Sequence, residues 1–230
     1  MLYVKPNQRR TSEYSLLQDF MRSNPLSSYI SEDEEYSLIE EPDTGLGFTD
    51  LVYVVWNKSA IANWNSARES LTVNDIKVLH HLFLCRKYKS ISELKIELGF
   101  TSKFLSDSLV HLVDAGLILK SRNEKYKCRK KSDIFFVNHI VSIEAKLHDW
   151  RRALYQASNN LIFSSESYTL FPESAITTTM KNEYLKSDVG IISYRDSAEI
   201  IQKSKRNTIP ISLTSWMFNE YVGRMQHASK

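Results

Sequence analysis

Cysteine is scarce in this chain of 230 residues: Cys85 and Cys128 stand alone, without metal-type spacing and without a disulfide framework around them. Both read as plain thiols, which suits a reducing cytoplasm. Long apolar runs are missing too. The longest, such as Leu51 to Trp56, fall far short of the ~20 residues that span a bilayer, and the opening MLYVKPNQRR has no apolar signal-peptide region. A cytoplasmic protein with no membrane partner is therefore expected. Nor is there a large charge excess, since 30 basic and 27 acidic residues leave a net charge of +3. Whether nucleic acid is bound must be decided by where the charges sit. No Gly-x-Ser-x-Gly elbow and no Walker loop occurs, and Gly45-Leu46-Gly47 is too short for a dinucleotide loop. Internal repeats and low-complexity tracts are absent as well. At this length one or two ordinary globular domains remain.

The elements that are present change character along the chain. Tyr14, Leu16, Leu17, Phe20 and Met21 repeat at helical spacing from Ser12 to Arg22. An acid-rich stretch, residues 32 to 43, surrounds the apolar Tyr36 to Ile39. It predicts a strand and a solvated turn before a second strand, Leu51 to Trp56. Residues 71 to 136 read differently. A helix begins after Thr72 or Asn74 and carries Ile76, Leu79, Leu82 and Phe83 on one face. A second has a capping box, Ser90 with Glu93, and a C-cap at Gly99, and a third, Lys103 to Ala115, is capped by Thr101 or Ser102. Leu117 to Lys120, a polar turn and Lys125 to Arg129 then make a hairpin pattern. On the helix, His80 and His81 point in different directions and read as surface or half-buried side chains rather than ligands.

Three short helices and a hairpin in this order resemble a winged helix-turn-helix, and Asp114-Ala-Gly-Leu-Ile118 is similar to the helix-to-wing junction of bacterial transcription regulators. The resemblance implies a recognition helix, Lys103 to Leu112, in a major groove and a wing along phosphates of double-stranded DNA. Lys120, Arg122, Lys125, Lys127, Arg129, Lys130 and Lys131 are opposed locally by Glu124 alone, and with Lys103 they are the expected DNA contacts. A solvated basic hairpin in a protein-docking module is the bland alternative.

After residue 136 strands and helices alternate, which predicts an α/β layer with some parallel strands. Expected strands are 135–137, 140–147, 167–171 and 189–194. Expected helices are 149–160, 179–185, a basic one at 198–205, and an amphipathic one at 211–226 carrying Trp216 and Tyr221. Within Ile140 to Leu147, alternation places Ser142, Glu144 and Lys146 on one face and Val141, Ile143, Ala145 and Leu147 on the other. A carboxylate two residues before an ammonium on a buried strand suits metal-assisted phosphodiester hydrolysis. The acid holds a divalent cation and the lysine serves the attacking water. The second carboxylate this needs is assigned to Asp50, on a strand expected beside Ile140 to Leu147. Glu93-Leu94-Lys95 repeats the spacing on a helix, where residues two apart diverge by roughly 200°.

This arrangement resembles the restriction-endonuclease-like PD-(D/E)xK nuclease superfamily over about residues 12–70 and 137–200, with Thr49 in place of the usual proline. The resemblance implies an α/β (α+β) fold, a mixed sheet flanked by helices. Residues 1–70 and 137–230 would form a discontinuous nuclease-like domain, and 71–136 an inserted winged helix. Asp50 and Glu144 would be ligands to Mg²⁺ or Mn²⁺, Lys146 the catalytic lysine, Gln156 a supporting residue on the next helix, and Glu13 a further acid. The implied activity is a metal-dependent DNA endonuclease, in defence or mobile-element processing. Cutting two strands calls for a homodimer. The competing readings are a DNA-binding regulator whose nuclease-like domain is silent, and a docking module in a larger complex.

Overall fold

The computed structural model describes residues 2–4, 12–23, 26, 30–45, 47–61 and 64–228. Most of the opening MLYVKPNQRR, and Leu46 of the short glycine loop, lie outside that set. In chain order the elements are α1 (Ser12–Ser23), β1 (Glu34–Glu40), β2 (Leu51–Asn57), α2 (Lys58–Ile61), α3 (Val73–Cys85), α4 (Ile91–Leu98) and α5 (Ser102–Asp114). There follow β3 (Ile118–Lys120), β4 (Tyr126–Cys128), α6 (Lys131–Ile134), β5 (Val137–Ala145), α7 (Trp150–Asn160), β6 (Glu166–Pro172), α8 (Thr178–Tyr184), β7 (Gly190–Tyr194), β8 (Ala198–Gln202) and α9 (Leu213–Ala228). Among the described residues, no helix is long and apolar enough to cross a membrane.

The chain divides into two compact units. Residues 2–56 and 137–211 form a mixed six-stranded sheet in the order β1-β2-β5-β6-β7-β8. β2 runs antiparallel to β5, β5-β6 and β6-β7 are parallel, and β8 returns antiparallel on the edge. The parallel pairs require crossovers, which α7 and α8 provide. Helices cover both faces. Leu16, Leu17 and Phe20 of α1 pack on Leu51, Tyr53, Val141 and Ile143, while Ala153 and Ala157 of α7 and Met180 and Tyr184 of α8 pack with Phe171, Val189 and Ile191. The mixed α/β class expected from the sequence is thus observed.

Two local expectations are corrected. Residues 198–205, read as a basic helix, contain the strand β8, paired with β7 through Ile192↔Ile200. Ile200 packs with the α1-side core and Ile201 with the α7–α8 side, an opposition that a strand's two-residue period provides and a helix does not. The two strands expected at 135–137 and 140–147 are one, Val137–Ala145, so Lys146 lies just past its end.

Residues 57–136 and 212–230 make up the other unit. Capping boxes start α3 (Thr72 with Asp75) and α4 (Ser90 with Glu93), Thr101 caps α5, and Gly99 closes α4 at φ 71°, a left-handed position glycine adopts without strain. β3 and β4 pair through Ile118↔Cys128 and Lys120↔Tyr126. The sequence pattern assigns 57–70 and 211–230 to the sheet domain, but the structure groups 57–70 and 212–230 with these helices. Trp216 of α9 is fully buried with Phe83 and Phe135 edge-on to it, and Asn219 Oδ1 accepts the Phe136 N–H at 2.9 Å. Glu220 forms a buried two-pronged pair with Arg68, whose guanidinium also lies 4.2 Å from the Trp64 ring centroid. Two charges buried this deeply hold only as a pair.

Candidate active site and basic surface

The sheet register brings the predicted acids together. Leu51 lies opposite Ile143 in the antiparallel β2–β5 pair, so Asp50, one residue earlier, meets the backbone one residue later. That residue is Glu144, and Asp50 Oδ2 accepts the N–H of the next one, Ala145, at 2.8 Å. Glu144 is 1% exposed, on the α7-facing side of β5, whereas Val141, Ile143 and Ala145 enter the α1-side core. The alternation read from the sequence thus holds through Ala145. Lys146 Nζ lies 3.5 Å from Asp50 Oδ2 and 3.5 Å from Glu13 Oε2, and donates to the Ala145 carbonyl at 2.8 Å. Glu13, on α1, thus reaches Lys146. Asp19 pairs with Arg22.

Two residues without a role in the sequence reading position Glu144. Asn160, at the end of α7, donates from Nδ2 to Glu144 Oε1 at 2.8 Å, and its Oδ1 accepts the Thr49 hydroxyl at 3.1 Å. Thr49, the residue in the proline position, therefore fixes the amide that fixes the acid. Asn160 follows Gln156 by one helical turn, so both fall on one face of α7. That spacing was the available signal. Glu144 Oε2 and Gln156 Oε1 are buried and receive no hydrogen bond. Both residues line a cleft of about 300 Å³ with Thr49, Arg152, Tyr155 and Asn160.

The electrostatics follow from this crowding. Burial, and then the negative charge of Asp50, push the Glu144 carboxyl up to about 8, against the opposing pull of Asn160 and Lys146. Asp50 is also raised, chiefly by burial, with Glu13 adding to the shift and Lys146 and the Ala145 N–H opposing it. Two acids that each make the other harder to ionise favour a shared proton or a cation. The donor set is all oxygen, with an orphaned carboxylate oxygen and an orphaned amide oxygen beside the cleft, and so fits a hard divalent ion such as Mg²⁺ or Mn²⁺. Asp50 and Glu144 would hold it.

The predicted basic residues occupy the helical unit. Lys103 is exposed on the first turn of α5, and Arg122, Lys125, Arg129 and Lys130 are exposed in and after the hairpin. Three others have local partners. Lys120 pairs with Glu124 at 2.7 Å, Lys127 Nζ lies 5.8 Å from the Tyr88 ring centroid, and Lys131 lies 5.0 Å from that of Phe135, where burial lowers its pKa. The Glu93-Leu94-Lys95 tripeptide is on a helix as expected, with Glu93 used in the capping box. Comparison with known protein families, with curated proteins and with solved structures returns no significant match for this chain.

Proposed function

We propose that this protein is a divalent-metal-dependent DNA endonuclease of the kind that the PD-(D/E)xK resemblance implies. The observation that carries the reading is the meeting of Asp50, Glu144 and Lys146 at the paired ends of β2 and β5, with Glu144 also lining an open cleft. A bound Mg²⁺ or Mn²⁺ supplies charge neutralisation at a phosphodiester and lowers the pKa of water. Asp50 and Glu144 would hold that ion, and Asn160 keeps the Glu144 carboxylate in one orientation. Lys146, balanced between Asp50 and Glu13, would orient the attacking oxygen and meet the developing charge with its ammonium. Gln156 lines the same cleft and would support the site from α7.

Duplex DNA is the substrate favoured by the helical unit. α5 would enter a major groove, and the hairpin with Arg122, Lys125, Arg129 and Lys130 would follow the phosphates, as in a winged helix. Double-strand cleavage would use two copies of the chain. One observation favours the second reading, a DNA-binding regulator with a silent nuclease-like domain: Glu144 is almost wholly buried, with one oxygen already taken by Asn160. Supercoiled plasmid incubated with Mg²⁺, Mn²⁺ or chelator, beside Glu144→Ala and Lys146→Ala, separates the two. Metal-dependent nicking lost in both variants, with their gel shifts retained, supports the nuclease. A salt-sensitive gel shift without cleavage in any metal refutes it and leaves the regulator.

A further inference from the structure

In the helical unit, three side chains of different chemistry converge at the C-terminal end of α3. His81 and Cys85 are one turn apart on that helix, and Glu97 reaches them from α4. His81 Nε2 is 3.5 Å from Cys85 Sγ and 2.7 Å from Glu97 Oε2, and all three candidate donor atoms lie within 4.8 Å of one another. The sequence conceals this, because Cys85 has no second cysteine nearby and Glu97 is twelve residues further on, across a loop. A reading of His81 as a bystander and Cys85 as a plain thiol follows from spacing alone.

We propose that His81, Cys85 and Glu97 form a binding site for Zn²⁺. The geometry is close to what the ion demands. With bonds of about 2.3 Å to sulfur and about 2.05 Å to imidazole nitrogen, a tetrahedral centre separates those two atoms by about 3.6 Å, and nitrogen from a carboxylate oxygen by about 3.3 Å. The first separation already exists, and the second needs Glu97, an exposed side chain, to withdraw by about half an ångström. Thiolate, imidazole and carboxylate together form the borderline donor set that favours zinc over magnesium.

The surroundings bear on the site in two ways. Cys85 ends α3 and His81 lies one turn before it, near the helix's unpaired carbonyls, which favour positive charge. Lys89, itself buried, pairs with the other oxygen of Glu97, so that Oε2 stays turned toward His81 while Oε1 is occupied. Binding would release the Cys85 thiol proton to solvent, leave Nδ1 of His81 as the protonated ring nitrogen, and keep a fourth position for water or an outside ligand. The ion would tie the end of α3 to α4, the element directly before α5. None of this depends on the nuclease reading.

The test is a Co²⁺ titration of the full chain, since cobalt reports a bound thiolate through a charge-transfer band in the near ultraviolet. One equivalent should produce the band, Zn²⁺ should displace it, Cys85→Ala should abolish it, and Cys128→Ala should leave it intact. An Asp50→Asn, Glu144→Gln double variant should retain it, which separates this site from the acidic one. His81→Gln, which leaves the sulfur in place, should weaken binding at least tenfold and serves if Cys85→Ala loses helicity. The proposal is overturned by absence of the band, by its survival in Cys85→Ala, by its loss in Cys128→Ala, or by unchanged affinity in His81→Gln. In any of these cases the cluster is a hydrogen-bonded histidine–carboxylate pair and nothing more.

Discussion

Replacing Glu144 by glutamine keeps the size of the side chain and its contact with Asn160 while removing one of two buried, mutually repelling acids. Glu144 has its carboxyl raised from 4.5 to about 8 in the folded chain. A raised folded-state pKa means that the folded form holds its proton more tightly than the unfolded form. The stability linked to this group is therefore complete below about pH 4.5 and is lost as the pH climbs through about 8. Every tenfold difference in proton affinity between the two forms corresponds to about 1.4 kcal/mol, so between about pH 5 and about pH 9 the metal-free protein should lose about 4 kcal/mol that Glu144→Gln does not lose. For a chain of this length that is a relative fall in melting temperature on the order of 10 °C. Thermal melts of both proteins in chelator, across that range, measure it directly. Adding Mn²⁺ at the alkaline end should restore the melting temperature of the natural protein and leave that of Glu144→Gln unchanged. Parallel pH curves, with no differential response to metal, would refute both the crowding of the carboxylates and their use as ligands.

Three further outcomes are expected. Asn160→Ala leaves the Glu144 carboxylate without its amide donor inside the fold, and should cost about 1–3 kcal/mol in denaturant melts and weaken Mn²⁺ binding; full retention of both would mean that Asn160 does not position the acid. Lys125→Ala with Lys127→Ala should reduce the slope of log affinity against log salt by up to about 2, read by fluorescence anisotropy on duplex DNA. An unchanged slope removes the hairpin from the interface. Arg68→Ala strands Glu220 in the interior of the helical unit and should destabilise that unit by about 3–5 kcal/mol, and Arg68→Met, which keeps the packing but not the charge, should lose nearly as much; a small loss in Arg68→Met would show that packing rather than charge pairing is at stake.

Local chemistry was legible without coordinates wherever it depends on near neighbours. The Ser90–Glu93 box, the Gly99 stop and the Thr101 cap follow from side-chain hydrogen bonds spanning three residues, and the two faces of β5 follow from the two-residue period of an extended chain. By the same logic Glu144 stood out from Glu93, since the same spacing shares a face on a strand and not on a helix. That β2 lies beside β5 was also inferable, once the intervening 71–136 segment was read as an insertion of helices and a hairpin.

Tertiary structure decided what depends on partners distant in sequence. The β-branched Ile200 and Ile201 lean toward a strand, and pairing with β7 on an open sheet edge fixes one against the basic residues that follow. Trp216, Asn219 and Glu220 look like any amphipathic helix until Phe83, Phe135 and Arg68 surround them and draw α9 to the helical unit. The register of β2 on β5, the Thr49–Asn160–Glu144 chain of hydrogen bonds, and the meeting of Cys85 with Glu97 arise in the same way. Residue type and spacing determine which groups a backbone can present, but the pairing of polar groups left over after the core has closed is settled only when distant segments pack, because burial makes an unpaired group costly.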